Sequence, residues 1–251
     1  MPKAKVIIVM PAFNVAHVIG KTVAAIPAGS YDEIIVVDDG SSDGTAQAAR
    51  DLGCWVVVHP QNTGYGGAQK TGYKEAIRRN ADIAVMVHGD NQYDPSLVPA
   101  FVRKITDEGC DLVTGTRMIL GDVLEKGMPL WKYVPNRFLT WLENLVFGSR
   151  ITDYHNGFRA YSAKFLREVP LDLLSDKFDF DTDIIVQGTI RGCKIGEIPH
   201  PTRYRKENSQ MPFSKAMVYG LTIMRTVFLF LLHKTGVYKQ KVFIWNGKND
   251  A

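Results

Sequence analysis

A chain of 251 residues that is 45% hydrophobic and 22% charged is ordinary globular material, long enough for one sizeable α/β core, which excludes a disordered or low-complexity class. The three cysteines, Cys54, Cys110 and Cys193, are odd in number and lack CxxC spacing, arguing against a disulfide framework or zinc site and for buried thiols in a reducing compartment. The formal net charge of +4 is unevenly spread: residues 201–251 carry nine Lys or Arg against two Asp or Glu, while residues 1–200 carry 21 against 24.

No basic-then-apolar leader opens the chain, because Met1-Pro2-Lys3-Ala4-Lys5 runs directly into Val6-Ile7-Ile8-Val9; the cytoplasm is the expected compartment. Apolar runs then alternate with helix-period segments. The pattern predicts strands over Lys5–Met10, Glu33–Val37, Trp55–Val58, Ile83–Val87 and Leu112–Thr114. It predicts helices over Val15–Ile26, Thr45–Leu52, Gly66–Arg79 and Ser96–Glu108. Repeated βα units give an α/β fold with a largely parallel, twisted sheet and helices on both faces, so the strand carboxyl ends line up along one edge. Ligand groups should collect in the turns Pro11–Asn14, Asp38–Thr45, Asn62–Gly67 and His88–Asp94. Residues 120–150 are less regular and read as a flap with a helix near Asn136–Phe147.

The second of these turns reads Asp38-Asp39-Gly40-Ser41-Ser42-Asp43-Gly44-Thr45. Adjacent carboxylates at a strand end point to opposite sides, so one Asp is expected to be structural and the other to face the crevice. The turn after the first strand, Pro11-Ala12-Phe13-Asn14, lacks G-x-G-x-x-G, and no G-x-x-x-x-G-K-[ST] loop occurs, which disfavours hydride transfer and P-loop chemistry. In the fourth turn an apolar strand runs into His88-Gly89-Asp90-Asn91-Gln92-Tyr93-Asp94-Pro95, placing Asp90 where parallel sheets hold ligands.

Taken in order, these turns with Asn62-Thr63-Gly64-Tyr65-Gly66-Gly67-Ala68, Thr114-Gly115-Thr116-Arg117 and Asp153 through Asn156-Gly157-Phe158-Arg159 resemble a family 2 glycosyltransferase. Among these the chain is most similar to the dolichyl- and polyprenyl-phosphate sugar synthases, over residues 5 to about 210. The resemblance implies a glycosyltransferase A fold, a UDP- or GDP-linked sugar donor, Mg²⁺ or Mn²⁺, and inversion at the anomeric carbon. It also implies donor-binding positions at Pro11, Phe13, Asn14, Val37, Asp39, His88, Gly89 and Gln92, with Asp90 as the metal ligand. The family usually shows Asp-x-Asp here, and His88 stands in the place of the first acid. A neutral His88 ring hydrogen-bonded beneath the ribose and direct ligation of the metal are both open readings.

Cleaving a sugar nucleotide puts negative charge on the diphosphate, so cations should face it; Arg117 and Arg205 are the candidates, with a surface ion pair as the plainer reading for each. Asp153, with Asn156 and Arg159, resembles the family segment beneath the sugar and acceptor, where Asp153 would aid the metal or orient the acceptor. The Gln-x-x-Arg-Trp motif of hydroxyl-glycosylating members is missing from Gln187-Gly188-Thr189-Ile190-Arg191-Gly192, which favours a polyprenyl phosphate acceptor that needs no strong base. Asp181 or Asp183 would be the base for a hydroxyl acceptor, as in surface polysaccharide assembly, or would simply complement a helix dipole. A nucleotide-sugar binder without turnover is the non-enzymatic alternative.

The expected division is a catalytic domain over 1–212 and a basic amphipathic helix and tail over 213–251. With Lys215 and Arg225 inside it, Phe213–Leu232 is a poor membrane span and suits lying flat on the inner face of a membrane. Packing on the core or on a second copy of the chain is the rival reading. A nucleic-acid partner is not expected.

Overall fold

The computed structural model describes residues 4–200 and 213–245. Its sheet is built from β1 (Val6–Ala12), β2 (Glu33–Asp38), β3 (Trp55–Val58), β4 (Ile83–Met86), β5 (Leu112–Thr116), β6 (Arg159–Ser162) and β7 (Ile195–Pro199). The strand order is β3-β2-β1-β4-β6-β5-β7. Six strands run in one direction; β6 is antiparallel to both of its neighbours, with Met86 opposite Arg159 and Thr114 opposite Arg159 on the other side. The reversal follows from the chain path. After β5 the chain crosses the carboxyl edge through α5 (Leu130–Phe147) and re-enters the sheet from that edge. A reversed strand delivers its first residues where the parallel strands deliver their last.

Strands buried on both faces read as continuous apolar runs, and β1, β2 and β4 are such strands. One face packs on α1 (Ile19–Ala24), α2 (Thr45–Asp51) and α4 (Val98–Thr106) through a cluster that includes Ile8, Val36, Val85 and Phe101. The other carries α3 (Tyr65–Arg78), α6 (Ala163–Glu168), α7 (Phe180–Ile190) and α8 (Phe213–Lys234) around Val9, Tyr73, Tyr161 and Ile184. Gly72 of α3 sits directly over the sheet: a Cβ there would collide with Val9, so glycine sets how closely this helix approaches.

The sequence pattern gives no sign of β6, α6 or β7, and two of the helices it does mark have different bounds. α1 is shorter than the expected Val15–Ile26, because residues 15–18 form a turn pinned by Val15 N donating to Thr45 Oγ1 at 2.9 Å. α5 begins six residues before Asn136 even though Pro135 lies inside it. Pro135 removes one helical hydrogen bond, and α5 nevertheless continues through it because Asn136, Thr140, Glu143 and Phe147 bury a stripe against the core. α8 packs along α5, with Ile223 and Val227 buried.

Candidate active site

Because β2, β1 and β4 are neighbours, the turns at their carboxyl ends open side by side. Asn14 N donates to Ser41 Oγ at 2.9 Å, Ser42 N donates to Asn14 Oδ1 at 3.0 Å, and Asp39 N donates to Ala12 O at 2.9 Å. Gly89 N reaches Pro11 O at 3.4 Å, while Thr22 Oγ1 donates to Gly89 O at 3.1 Å. Asn14 and Gly89 therefore act by fixing the walls of the crevice. Phe13 stands 49% exposed on its rim, an apolar plate that a base can stack on.

The paired carboxylates divide as strand geometry requires. Asp38 Oδ1 accepts Ser41 N at 3.0 Å and closes its own turn. Asp39 Oδ1 accepts Thr63 N at 2.8 Å and Thr63 Oγ1 at 2.7 Å, with His59 Nδ1 2.7 Å away, and Oδ2 accepts Gly64 N at 2.9 Å. Burial alone would raise the Asp39 carboxyl, but His59 and the Thr63 and Gly64 donors hold it below its ordinary value. It is an ionised carboxylate with one oxygen carrying a single donor. Val37 is a correction: its side chain is fully buried beneath α3 and points into the core, away from the crevice.

Asp90 leaves the end of β4 in a tight turn, its Oδ1 accepting Gln92 N at 3.0 Å while Asn91 adopts φ +56°. His88 is set between two tyrosines. Tyr65 OH lies 3.2 Å from His88 Nε2 and 3.1 Å from Asp181 Oδ2, and the Tyr93 ring meets His88 edge-on at 4.9 Å. Burial lowers the His88 pKa, partly offset by Asp90 and Asp181, so the ring is neutral. Gly157 closes this group from above: a Cβ there would meet both His88 Nε2 and Tyr65 OH at 2.6 Å. Tyr65 and Tyr93 carry no role in the sequence reading. Both lie inside the turns quoted for their glycines and acids, and only the fold shows that they flank His88.

Four expected ligand contacts prove to be framework. Arg117 is spent on Asp153, its Nε donating to Oδ2 at 2.6 Å and a second guanidinium nitrogen to Oδ1 at 2.8 Å, with a further bond to His155 O at 2.9 Å. Asp153 is fully buried and also receives Asn136 Nδ2 at 3.2 Å; burial would raise its carboxyl, but Arg117 holds it well below the usual carboxylate range. In this arrangement each neutralises the other's charge. Arg159, also fully buried, donates to the carbonyls of Asn156, Asp181 and Tyr154 at 2.9, 2.6 and 2.9 Å. Asn156 pairs with His200 Nε2 at 2.6 Å and Phe158 N at 2.9 Å. The start of a reversed strand is wedged between two others, and buried polar groups there must find protein partners.

Asp181 is 7% exposed and engaged by Tyr65 and, at 3.6 Å, by Arg159; burial raises its pKa against the pull of Arg159 and His88. Asp183 accepts Ser175 N at 3.0 Å and is pushed up to about 6 by burial. Arg205 and Arg203 lie outside the described residues.

Among the described residues no group of three or more His, Cys, Asp or Glu converges on a point that could hold a metal ion. The carboxylate these turns offer a cation is Asp90, and a lone carboxylate suits a hard ion that would keep its waters and take its remaining ligands from substrate phosphates. The residues therefore fit Mg²⁺ or Mn²⁺ arriving with a diphosphate.

Comparison with known proteins agrees with this layout. The family model described as Glycosyl transferase family 2 matches residues 7–170. A UDP-N-acetylglucosamine–dolichyl-phosphate N-acetylglucosaminyltransferase from Methanococcus voltae is 30% identical over 214 residues, covering 78% of this chain and 85% of the relative. An undecaprenyl-phosphate mannosyltransferase from Micrococcus luteus is 27% identical over 209 residues, covering 78% and 82%. Among solved structures, glucosyl-3-phosphoglycerate synthase from Mycobacterium tuberculosis, in complex with Mn²⁺, UDP and glucosyl-3-phosphoglycerate, superposes with a TM-score of 0.67 at 22% identity, covering 93% and 80%. With its crevice at the carboxyl ends of β1, β2 and β4, and with these relatives along most of its length, the chain belongs to glycosyl transferase family 2 and has the glycosyltransferase A fold.

Proposed function

We propose that this glycosyltransferase moves a hexose from a UDP- or GDP-sugar to a polyprenyl phosphate, with inversion and with the help of Mg²⁺ or Mn²⁺, at the cytoplasmic face of a membrane. The observation that carries the acceptor is that the acceptor-side carboxylates among the described residues are already engaged: Asp153 by Arg117, Asp181 by Tyr65 and Arg159, Asp183 by Ser175 N. A hydroxyl nucleophile needs a base to take its proton, whereas a phosphate monoester is already an anion at neutral pH. The relatives named for dolichyl- and undecaprenyl-phosphate support the same reading.

In this reading Phe13 and the Pro11 turn hold the base, and the second oxygen of Asp39 accepts from the nucleoside. Asp90 holds the cation, which when bound offsets charge on the departing diphosphate. His88, kept neutral between Tyr65 and Tyr93, hydrogen-bonds the donor without adding a cation beside that metal. A lipid phosphate oxygen forms the new bond to the anomeric carbon from the face opposite the diphosphate, whose own bond to that carbon breaks. Arg205 is the basic group proposed for the leaving phosphates, in place of Arg117.

Nucleotide release should be measured across UDP- and GDP-sugars, with Mg²⁺ or Mn²⁺, with and without a short polyprenyl phosphate, and the product anomer read by NMR. Release that requires one donor, the metal and the lipid phosphate together, with inversion, is the expected result. Release onto a sugar hydroxyl instead would overturn the acceptor and make Asp181 and Asp183 the residues to test. Nucleotide binding without any sugar release would mark a binder without turnover.

A further inference from the structure

α5 and α8 lie side by side, in contact from Leu139 against Gly220 to Phe147 against Phe230, whose rings meet edge-on at 5.0 Å. Their inner faces reach the site. Asn136 of α5 donates to Asp153, and Tyr219 OH of α8 lies 3.0 Å from His155 Nδ1. Their outer faces are apolar. On α5 the exposed residues Leu130, Val134, Phe138, Trp141 and Leu145 recur every three or four positions, forming one stripe. On α8 Met217, Leu221, Met224, Phe228 and Leu231 do the same, with Leu221 66% exposed. A second stripe on a neighbouring helix makes a patch wider than a monomeric soluble protein usually leaves open.

On the two helices themselves the exposed charge has a single sign. Residues 213–245 contain five Lys or Arg and no Asp or Glu. On α5 the charged residues are Lys132, Arg137 and Glu143, and Glu143 is fully buried. Two copies meeting through this face would bring like charges together, whereas an anionic lipid surface complements it. Apolar stripes with aromatic residues and a basic rim are what a helix needs to lie in a membrane interface.

We infer that the paired outer faces of α5 and α8 form one docking surface for an anionic membrane, holding the crevice over the lipid interface. This builds on the polyprenyl-phosphate reading and specifies which surface meets the bilayer. By length and composition alone, Ala216–Lys234 of α8 is apolar enough to cross a membrane, with mean hydropathy 1.6. Its inner side, however, is taken up by the protein through Ile223, Val227 and Tyr219, so that α8 lies along the surface.

The test is co-flotation of the full chain with vesicles of phosphatidylcholine alone or mixed with phosphatidylglycerol, neither containing polyprenyl phosphate. Tryptophan fluorescence, read with Trp55 and Trp245 replaced by Phe so that it comes from Trp131 and Trp141, reports insertion. The expected result is binding to the anionic vesicles with a blue shift, weakened by salt and reversed by alkaline carbonate. Phe138→Glu with Trp141→Glu on α5, and separately Leu221→Glu with Phe228→Glu on α8, should each weaken it by at least about tenfold with thermal unfolding unchanged. Should these substitutions disturb the fold, Arg137→Glu with Arg225→Glu tests the same face through charge. No vesicle binding, variants that bind like the parent, or retention after carbonate would overturn the inference. So would a dimer in sedimentation that the same variants dissociate. Since the vesicles carry no acceptor, binding without lipid-dependent nucleotide release leaves the surface standing and removes the acceptor. Release with detergent-dispersed lipid but no vesicle binding does the reverse.

Discussion

Asp90 is a carboxylate at the crevice whose Oδ1 is turned onto Gln92 N, which leaves its second oxygen for a cation, and among the described residues no group of three or more His, Cys, Asp or Glu gathers around it. A single carboxylate binds a divalent ion weakly unless phosphate oxygens complete the shell. Mn²⁺ binding, followed by its paramagnetic relaxation, should therefore be detectable with UDP or GDP present and negligible without; tight binding to the nucleotide-free chain would reveal ligands beyond Asp90. Asp90→Ala should lower nucleotide release by more than about 100-fold, the scale set by losing several kcal/mol of charge stabilisation. Retained turnover would remove Asp90 from the metal site. Arg117 behaves oppositely. Arg117→Ala strands Asp153 as a buried unpaired carboxylate, at a cost of about 3–5 kcal/mol in urea unfolding, and adding Asp153→Asn should restore part of the loss. A surface ion pair of the kind read from the sequence would cost under about 1 kcal/mol.

Between elements, the join of α5, α7 and α8 at Glu143 and His155 makes stability depend on pH. Thr182 Oγ1 of α7 donates to Glu143 Oε1 at 3.0 Å, and His155 Nε2 lies 3.3 Å from Oε2. Burial pushes the Glu143 carboxyl up to about 8 from an ordinary 4.5, so the folded chain holds a proton that the unfolded chain releases. That contribution is complete below about 4.5 and is lost as pH rises through 8. Burial pushes His155 down to about 4 from 6.5, and its contribution is complete above 6.5 and lost as pH falls through 4. Between 6.5 and 8 Glu143 alone of the two changes, so melting temperature should fall with rising pH across that window, and Glu143→Gln should flatten the slope. An unaltered slope would show Glu143 ionised in the fold. The join itself was not legible in the sequence. β1, β2 and β4 declare themselves by unbroken apolar runs, and their end turns follow from them. β6 reads Arg-Ala-Tyr-Ser with no such run, and its reversal decides where Asp153, Asn156 and Arg159 point. The turns that carry Asp39, His88 and Asp90 could be placed at neighbouring strand ends from the sequence, while Arg117 pairing with Asp153 across 36 residues depends on strand direction that no local pattern carries. α5 was hidden at its start by Pro135 for the same reason: packing decided it, not propensity.

Residues 1–212 stand alone only if α8 is dispensable to the core. A basic helix and tail hung on a finished catalytic domain would be removable. α8 instead places Ile223 and Val227 in the same core cluster as Tyr73, Tyr161 and Phe180, and its Tyr219 meets His155 one turn of chain from Asp153. Burying an Ile and a Val contributes roughly 1.5–3 kcal/mol each, a large share of the roughly 5–15 kcal/mol that holds a domain folded. We expect truncation after residue 212 to leave Phe147 and its neighbours uncovered, lower the melting temperature by roughly 5 °C or more, and promote aggregation. A truncated chain that remains monomeric with the parent's melting temperature would make α8 an appendage, and the catalytic unit would then end at 212. The two outcomes separate what the helix does for the fold from what it does at a membrane. If it were only an anchor its loss would spare the crevice, whereas a helix that closes the core behind Asp153 couples the position of the acceptor side to the surface on which the enzyme sits.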